Sequence, residues 1–295
     1  MRGSVSAREM GEGGIISRRT RKPDKRRIKA MDIVISAALH RSGSTLLQRI
    51  VNSRKGNLIW GEHQGVLTDF LEIFKKVRHY SMDYRGERQT YFAGGENPNT
   101  WIATITPERE YVERAMVESA RAFLDSLYAQ YRDTHDRIGF KEVRYGELEL
   151  KLLRKCYPSA VFLLLVRHPV ATWRSLVNCR GWYRDDAAAT ADRWSRNVSG
   201  YLSFAEQDPL AHLIRYEDLV EGNPATLRLV AEAAELSDDR IRDVLGSRIG
   251  STAGARIAEE DLAALLERCR EPMRRLGYDV GGEVDGYGFH AGRLA

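Results

Sequence analysis

The sequence predicts an α/β fold with a central parallel sheet covered on both faces by helices. Two observations carry that reading. Five short runs of apolar, mostly β-branched or leucine-rich residues are spread along the chain. Each is separated from the next by a segment of helical character, as parallel strands joined by crossovers require.

In chain order, the predicted strands are "DIVISAAL" (32–39), "NLIW" (57–60), "RIGFKEV" (137–143), "AVFLLLV" (160–166) and "LAHLIRY" (210–216). Helical segments are expected over 44–54, 62–78, 107–132, 146–155, 168–179, 186–207 and 224–236. A helical stretch over 237–278 closes the domain, ending in "MRRLGY". The segment 79–106, "HYSMDYRGERQTYFAGGENPNTWIATIT", is aromatic and rich in Gly and Asn, and reads as a long irregular loop of the kind that walls a substrate site. The Gly-rich end, 281–295, reads as a flexible tail.

Charge is unevenly placed. The net charge is +5 over 295 residues, but residues 1–30 hold ten Lys/Arg against three Asp/Glu, which leaves the rest of the chain at −2. The basic stretch "ISRRTRKPDKRRIKA" has no apolar periodicity and is expected to be a disordered extension, with a domain over 31–280. A nucleic-acid-binding arm is the rival reading of those residues, but no nucleic-acid partner is expected. No run of 18 apolar residues and no apolar leader segment is present, so neither a membrane span nor a secretory signal is expected. The three cysteines, Cys156, Cys179 and Cys269, are far apart and lack a C-x-x-C pair, which suits a reducing cytoplasm and speaks against a structural zinc site. The Ala/Arg/Asp-rich composition fits a bacterium of high GC content.

Ligands of open α/β sheets bind beyond the carboxyl ends of the strands. After the first strand comes "HRSGSTL", a strand–turn–helix layout that suits an anion. The phosphate-loop pattern G-x-x-x-x-G-K-[ST] is absent, and the cation, Arg41, precedes Gly43 rather than following a second glycine. The backbone N–H groups of 42–45, the hydroxyls of Ser44 and Thr45, and Arg41 are candidate anion ligands. The second strand is followed by Glu62 and His63, the third by Lys141, the fourth by Arg167 with Ser175 two helical turns on, and the fifth by Arg215, Tyr216, Glu217 and Asp218. Five strand ends thus offer an anion site with acids close by. The aromatic and basic stretch Arg180, Trp182, Tyr183 is a candidate wall, and Cys179 reads as an inert thiol.

"HRSGSTL" resembles the 5′-phosphosulfate loop of sulfotransferases that use 3′-phosphoadenosine 5′-phosphosulfate (PAPS). "RHPVATWRS" resembles their 3′-phosphate motif, with His168 where Asp is usual, and "GEH" resembles the segment that carries the catalytic base in tyrosylprotein-type and related bacterial sulfotransferases. The resemblance spans about residues 32–280. It implies a three-layer P-loop-NTPase-like fold and transfer of a sulfuryl group to a hydroxyl, less readily an amine, of a small molecule or glycan. It further implies Glu62 as base, with His63 as the alternative. Lys141 and Arg41 would act on the leaving oxygen. Arg41, Ser42, Gly43, Ser44, Thr45, Arg167, Ser175 and Tyr216 would hold PAPS, with no metal, because PAPS has no β/γ-phosphate pair for Mg²⁺ to bridge. A nucleotide-dependent kinase is the alternative enzyme; it would bind Mg²⁺-ATP.

Because residues 1–30 have nothing with which to bury a core, a chain beginning at Met31 is expected to keep the melting temperature and PAPS affinity of the full chain. Differential scanning calorimetry and titration calorimetry check this, and a drop of several degrees would show that the extension packs on the domain.

Overall fold

The computed structural model describes residues 31–99, 104–178, 183, 185–247 and 256–279. The expected disordered extension 1–30 and flexible tail 281–295 lie outside them, as do Cys179, Arg180 and Trp182. The strands are β1 (Ile33–Ala37), β2 (Asn57–Trp60), β3 (Arg137–Glu142), β4 (Val161–Val166) and β5 (Ala211–Arg215). They form one five-stranded sheet in the order β2-β3-β1-β4-β5, and every pairing is parallel. The helices are α1 (Ser44–Val51), α2 (Val66–Asp83), α3 (Arg85–Ala93), α4 (Arg109–Leu127), α5 (Glu147–Cys156), α6 (Pro169–Val177), α7 (Ala187–Gln207), α8 (Tyr216–Val220), α9 (Pro224–Ala234), α10 (Asp238–Gly246), α11 (Glu259–Arg268) and α12 (Arg270–Arg275).

Strand alternation builds two cores from one sheet. Ile33, Ile35 and Ala37 of β1 face a layer that includes Leu47, Ile50, Leu227 and Val230, from α1 and α9. Val34, on the other face, joins Leu124, Leu153, Trp194 and Val198, from α4, α5 and α7. All five β1 residues are buried, so β1 carries no polar face. Ser36 points among apolar side chains, where its hydroxyl is satisfied by the Tyr201 hydroxyl at 2.6 Å.

Three local expectations are corrected. The segment 79–106 is not one irregular loop: α2 continues to Asp83, and α3 follows after a single break at Tyr84. The buried Arg88 stabilises this hairpin by donating to the carbonyls of Ser81, Thr106 and Pro107. The helix expected to start at residue 62 begins at Val66, because Gln64 and Gly65 take left-handed backbone with φ of 62° and 71°. Tyr216 is not the last strand residue; β5 stops at Arg215 and Tyr216 opens α8.

The strand order places the site. The chain leaves β1 toward β2 on one side and later crosses to β4 on the other. The carboxyl end of β1 is therefore where connections diverge, which leaves a crevice there. The loop 38–43 emerges into that crevice.

Candidate active site

Two clusters meet at the carboxyl edge of the sheet. The first is built on the loop after β1. Gly43 has φ of 91° and serves as N-cap of α1. A Cβ on Gly43 would lie 2.2 Å from Cδ2 of Tyr216, so only glycine allows both this backbone and this close approach. The Tyr216 ring is in turn covered by the Arg167 guanidinium, 4.6 Å from the ring centroid. Arg167 Nη1 donates to the Arg41 carbonyl at 3.0 Å, and Arg41 Nε donates to Ser175 Oγ at 3.0 Å. Arg41 itself has left-handed backbone, φ 65°, which costs a non-glycine residue about 1–2 kcal/mol. These two hydrogen bonds offset that cost.

The structure thus brings Arg41, Gly43, Arg167, Ser175 and Tyr216 into one group, although they span more than 170 residues of sequence. Leu46 and Leu47 already bond to the Gly43 carbonyl, while Ser44 and Thr45 open the helix, where N–H groups lack intrahelical acceptors. Ser42 Oγ and Arg167 Nε are buried and make no hydrogen bond among the described residues. Burial lowers the Arg167 pKa from its ordinary value, with the Arg41 charge adding to the effect, while Tyr216 and Glu217 oppose it. A donor-rich, cationic and partly buried group of side chains at a helix N-terminus is what an anion stabilises.

The second cluster is built on β2 and β3. Lys141 and Glu142 are adjacent, both buried, at the end of β3. Lys141 Nζ donates to Glu62 Oε1 at 2.5 Å, and Arg144 Nη1 donates to Glu62 Oε2 at 3.0 Å. Burial is the largest single influence on Glu62 and raises its pKa, but the hydrogen bonds and charges of Lys141 and Arg144 together outweigh it, so the carboxyl ends below its ordinary range. Glu142 accepts from the backbone N–H groups of His63 (3.2 Å), Gly65 (2.8 Å) and Val143 (2.8 Å), and from Arg144 Nη1 (2.6 Å). Removing one partner of such a buried charge costs about 3–5 kcal/mol, so Glu142 fixes the 61–65 loop and with it Glu62.

Glu62 and His63 diverge. The His63 ring is buried between two hydroxyls, with Nδ1 2.7 Å from Tyr128 Oη and Nε2 in a short hydrogen bond to Tyr145 Oη. Burial lowers the His63 pKa, and Glu142 partly counters this. His40 sits between the clusters. It precedes Arg41, and its pKa is lowered chiefly by burial and then by Arg144, with Glu62 and Glu142 opposing. Its ring also meets Tyr183 edge-on at 6.2 Å. Tyr183 forms one wall of a cleft of about 440 Å³ beside α6, shared with Trp173, Leu176, Val177 and Asp185.

Glu142, Arg144 and His40 were not singled out in the sequence. Glu142 directly follows Lys141 in "KEVR" and Arg144 ends that stretch; a charge at two successive buried strand positions, Lys141 and Glu142, was the available signal. Among the described residues, no group of three or more His, Cys, Asp or Glu could hold a metal, and no helix is long and apolar enough to cross a membrane.

Residues 34–240 match the model of the sulfotransferase family. The match covers well over half of the chain, and the chain belongs to that family. Among solved structures, a sulfotransferase from Mycobacterium avium superposes with a TM-score of 0.51 at 12% identity, over 86% of this chain and 79% of that one. The sulfotransferase domain of the Synechococcus PCC 7002 olefin synthase gives 0.46 at 20% identity, over 85% and 96%. A sulfotransferase from Alicyclobacillus acidocaldarius gives 0.45 at 12%, over 85% and 97%. No curated protein matches the chain significantly. The three-layer P-loop-NTPase-like fold is therefore the architecture of this transferase.

The Glu62 ion pairs make a prediction about acid stability. A carboxyl whose folded pKa is depressed contributes stability that is present above its unfolded pKa and lost as pH falls through the folded value. Melting temperature is expected to fall more steeply between about pH 5 and pH 3 in the unmodified protein than in Glu62→Gln, which has no proton to take up. Scanning calorimetry across that range checks this; parallel curves would show that Glu62 is not held by its cations in solution.

Proposed function

We propose that the chain transfers a sulfuryl group from PAPS to a hydroxyl of a small molecule or glycan. The observation that carries this is the meeting of the two clusters: a cationic, donor-rich helix N-terminus lies beside an acid–lysine pair at one sheet edge. In this reading the N–H groups and hydroxyls of Ser42, Ser44 and Thr45, with Gly43 N–H, receive the 5′-phosphosulfate. Arg167 and Ser175 receive the 3′-phosphate, and Tyr216 supports the loop from beneath. Arg41, whose Nε is turned to Ser175, fits the donor side better than the leaving oxygen.

The acceptor oxygen forms a bond to sulfur while the bond from sulfur to the bridging oxygen breaks. The electron pair goes to that bridging oxygen, where Lys141 neutralises the growing charge. The acceptor proton goes to Glu62. The Lys141–Glu62 bond gives this sequence a logic. At neutral pH the carboxylate is ionised and ready, but its proton affinity is reduced by its cations. As Lys141 turns toward the leaving oxygen, Glu62 loses its closest cation and becomes the stronger base at the moment a proton must be taken. His63 is turned into the core against Tyr128 and Tyr145, which favours Glu62 over it. Sulfuryl transfer to an oxygen needs no further group, since charge and position account for the step.

The 3′-phosphate assignment has a direct test. Adenosine 3′,5′-bisphosphate is expected to bind the protein far more tightly than adenosine 5′-monophosphate in titration calorimetry. Arg167→Ala should remove most of that difference, a loss of about 2–3 kcal/mol for one charge-assisted phosphate contact. Equal affinities in the unmodified protein would overturn the donor assignment.

A further inference from the structure

The carboxyl end of β4 is gripped by residues that the reading above does not use. The peptide unit between Arg167 and His168 is held at both of its polar atoms. Trp194 Nε1 donates to the Arg167 carbonyl at 2.9 Å, and the His168 N–H donates to Glu217 Oε1 at 3.0 Å. The second oxygen of Glu217 accepts from the hydroxyl of Tyr278 at 2.7 Å. Tyr278 comes from the closing turn, more than 100 residues beyond Arg167.

That turn is itself rigid. The Gly277 N–H bonds to the Arg274 carbonyl at 3.0 Å and the Tyr278 N–H to the Met273 carbonyl at 2.9 Å, with Gly277 at φ 71°. This is the pair of bonds that ends a helix on a left-handed glycine. It aims the Tyr278 ring between His168, met edge-on at 5.0 Å, and the Arg215 guanidinium, 4.5 Å from the ring centroid. Arg215 Nη1 also donates to the Leu276 carbonyl at 3.4 Å. Met273 and Tyr278 are buried, so α12 is anchored to the core while its end reaches the sheet edge.

We infer that Tyr278, acting through Glu217, is a positioning residue for the 3′-phosphate side of the donor site. The inference rests on the proposed role of Arg167. A guanidinium that must meet a phosphate depends on the direction in which its backbone leaves the strand, and small displacements of a bidentate contact are costly. The Tyr278–Glu217 bond fixes that direction from the side opposite Trp194. It also keeps Glu217 from turning to Arg167, whose charge it already feels. His168 stays neutral here, its pKa pushed down to about 4 by burial and then by Arg215, Arg167 and Arg174, so it adds no charge of its own near neutral pH.

The test uses the full chain and two nucleotides. Tyr278→Phe keeps the ring against His168 and Arg215 and removes only the hydroxyl. It is expected to weaken adenosine 3′,5′-bisphosphate about tenfold, the size of one hydrogen bond to a charged group, and adenosine 5′-monophosphate by less than about twofold. Glu217→Gln, which no longer offers two equivalent carboxylate oxygens, should show the same selective loss and serves if the first variant folds poorly. In an Arg167→Ala background Tyr278→Phe should cause no further loss of selectivity. A purely structural role would lower the melting temperature while leaving the ratio of the two affinities unchanged in both variants, and that result would overturn the inference. A failure of the underlying reading shows elsewhere: the unmodified protein would then bind both nucleotides equally, and the inference would fall with it.

Discussion

The carboxyl end of β3 carries two opposite charges at successive buried positions, and the site's geometry depends on how each is neutralised. Lys141 and Glu142 cannot compensate one another, since adjacent strand residues point to opposite sides. Lys141 is met by Glu62, and Glu142 by three backbone N–H groups and Arg144. Both sets of partners lie in or beside the 61–65 loop. The loop is thus held at its backbone by one charge and at its acid by the other, with Arg144 bonded to both carboxylates. A strand that ended in apolar residues would leave this loop with no reason to adopt a single conformation.

The other side of the crevice is organised by cations that would repel one another if left bare. Arg41, Arg167 and Arg215 gather around the ends of β1, β4 and β5. Aromatic faces absorb part of the charge: Tyr216 beneath Arg167 and Tyr278 beneath Arg215. Such contacts contribute about 0.5–2 kcal/mol each, which offsets crowding without neutralising it. The remaining positive charge suits an anion, and Gly43 lets the loop come within contact of the Tyr216 ring.

The strands were legible because each is a short run of β-branched or leucine residues with polar turns on both sides, and a buried parallel strand needs nothing else. The structure ends each within two residues of the expected place. Helix α3 was not legible. Among its residues only Arg88 is buried, so there is no apolar stripe to read, and Gly86 with the Gly94–Gly95 pair points to a loop. Its position is fixed by the Arg88 guanidinium capping three carbonyls from two places in the chain, which no local pattern encodes. In the site, Arg41, Glu62, Lys141, Arg167, Ser175 and Glu217 could be singled out because they follow predicted strands, whereas Glu142, Arg144 and Tyr278 matter through long-range contacts. Charge at a buried strand end was visible for Glu142, but its partners, the N–H groups of a loop some 80 residues earlier, were not.

In the proposed function, one crevice holds the donor's two phosphate ends between these clusters. A crystal structure of the protein with adenosine 3′,5′-bisphosphate tests it most directly. The expected result is a 5′-phosphate accepting from the backbone N–H groups of residues 42–45, with Lys141 beside it, and a 3′-phosphate against Arg167 and Ser175. A nucleotide bound with its phosphates reversed, or bound away from the α1 N-terminus, would contradict it.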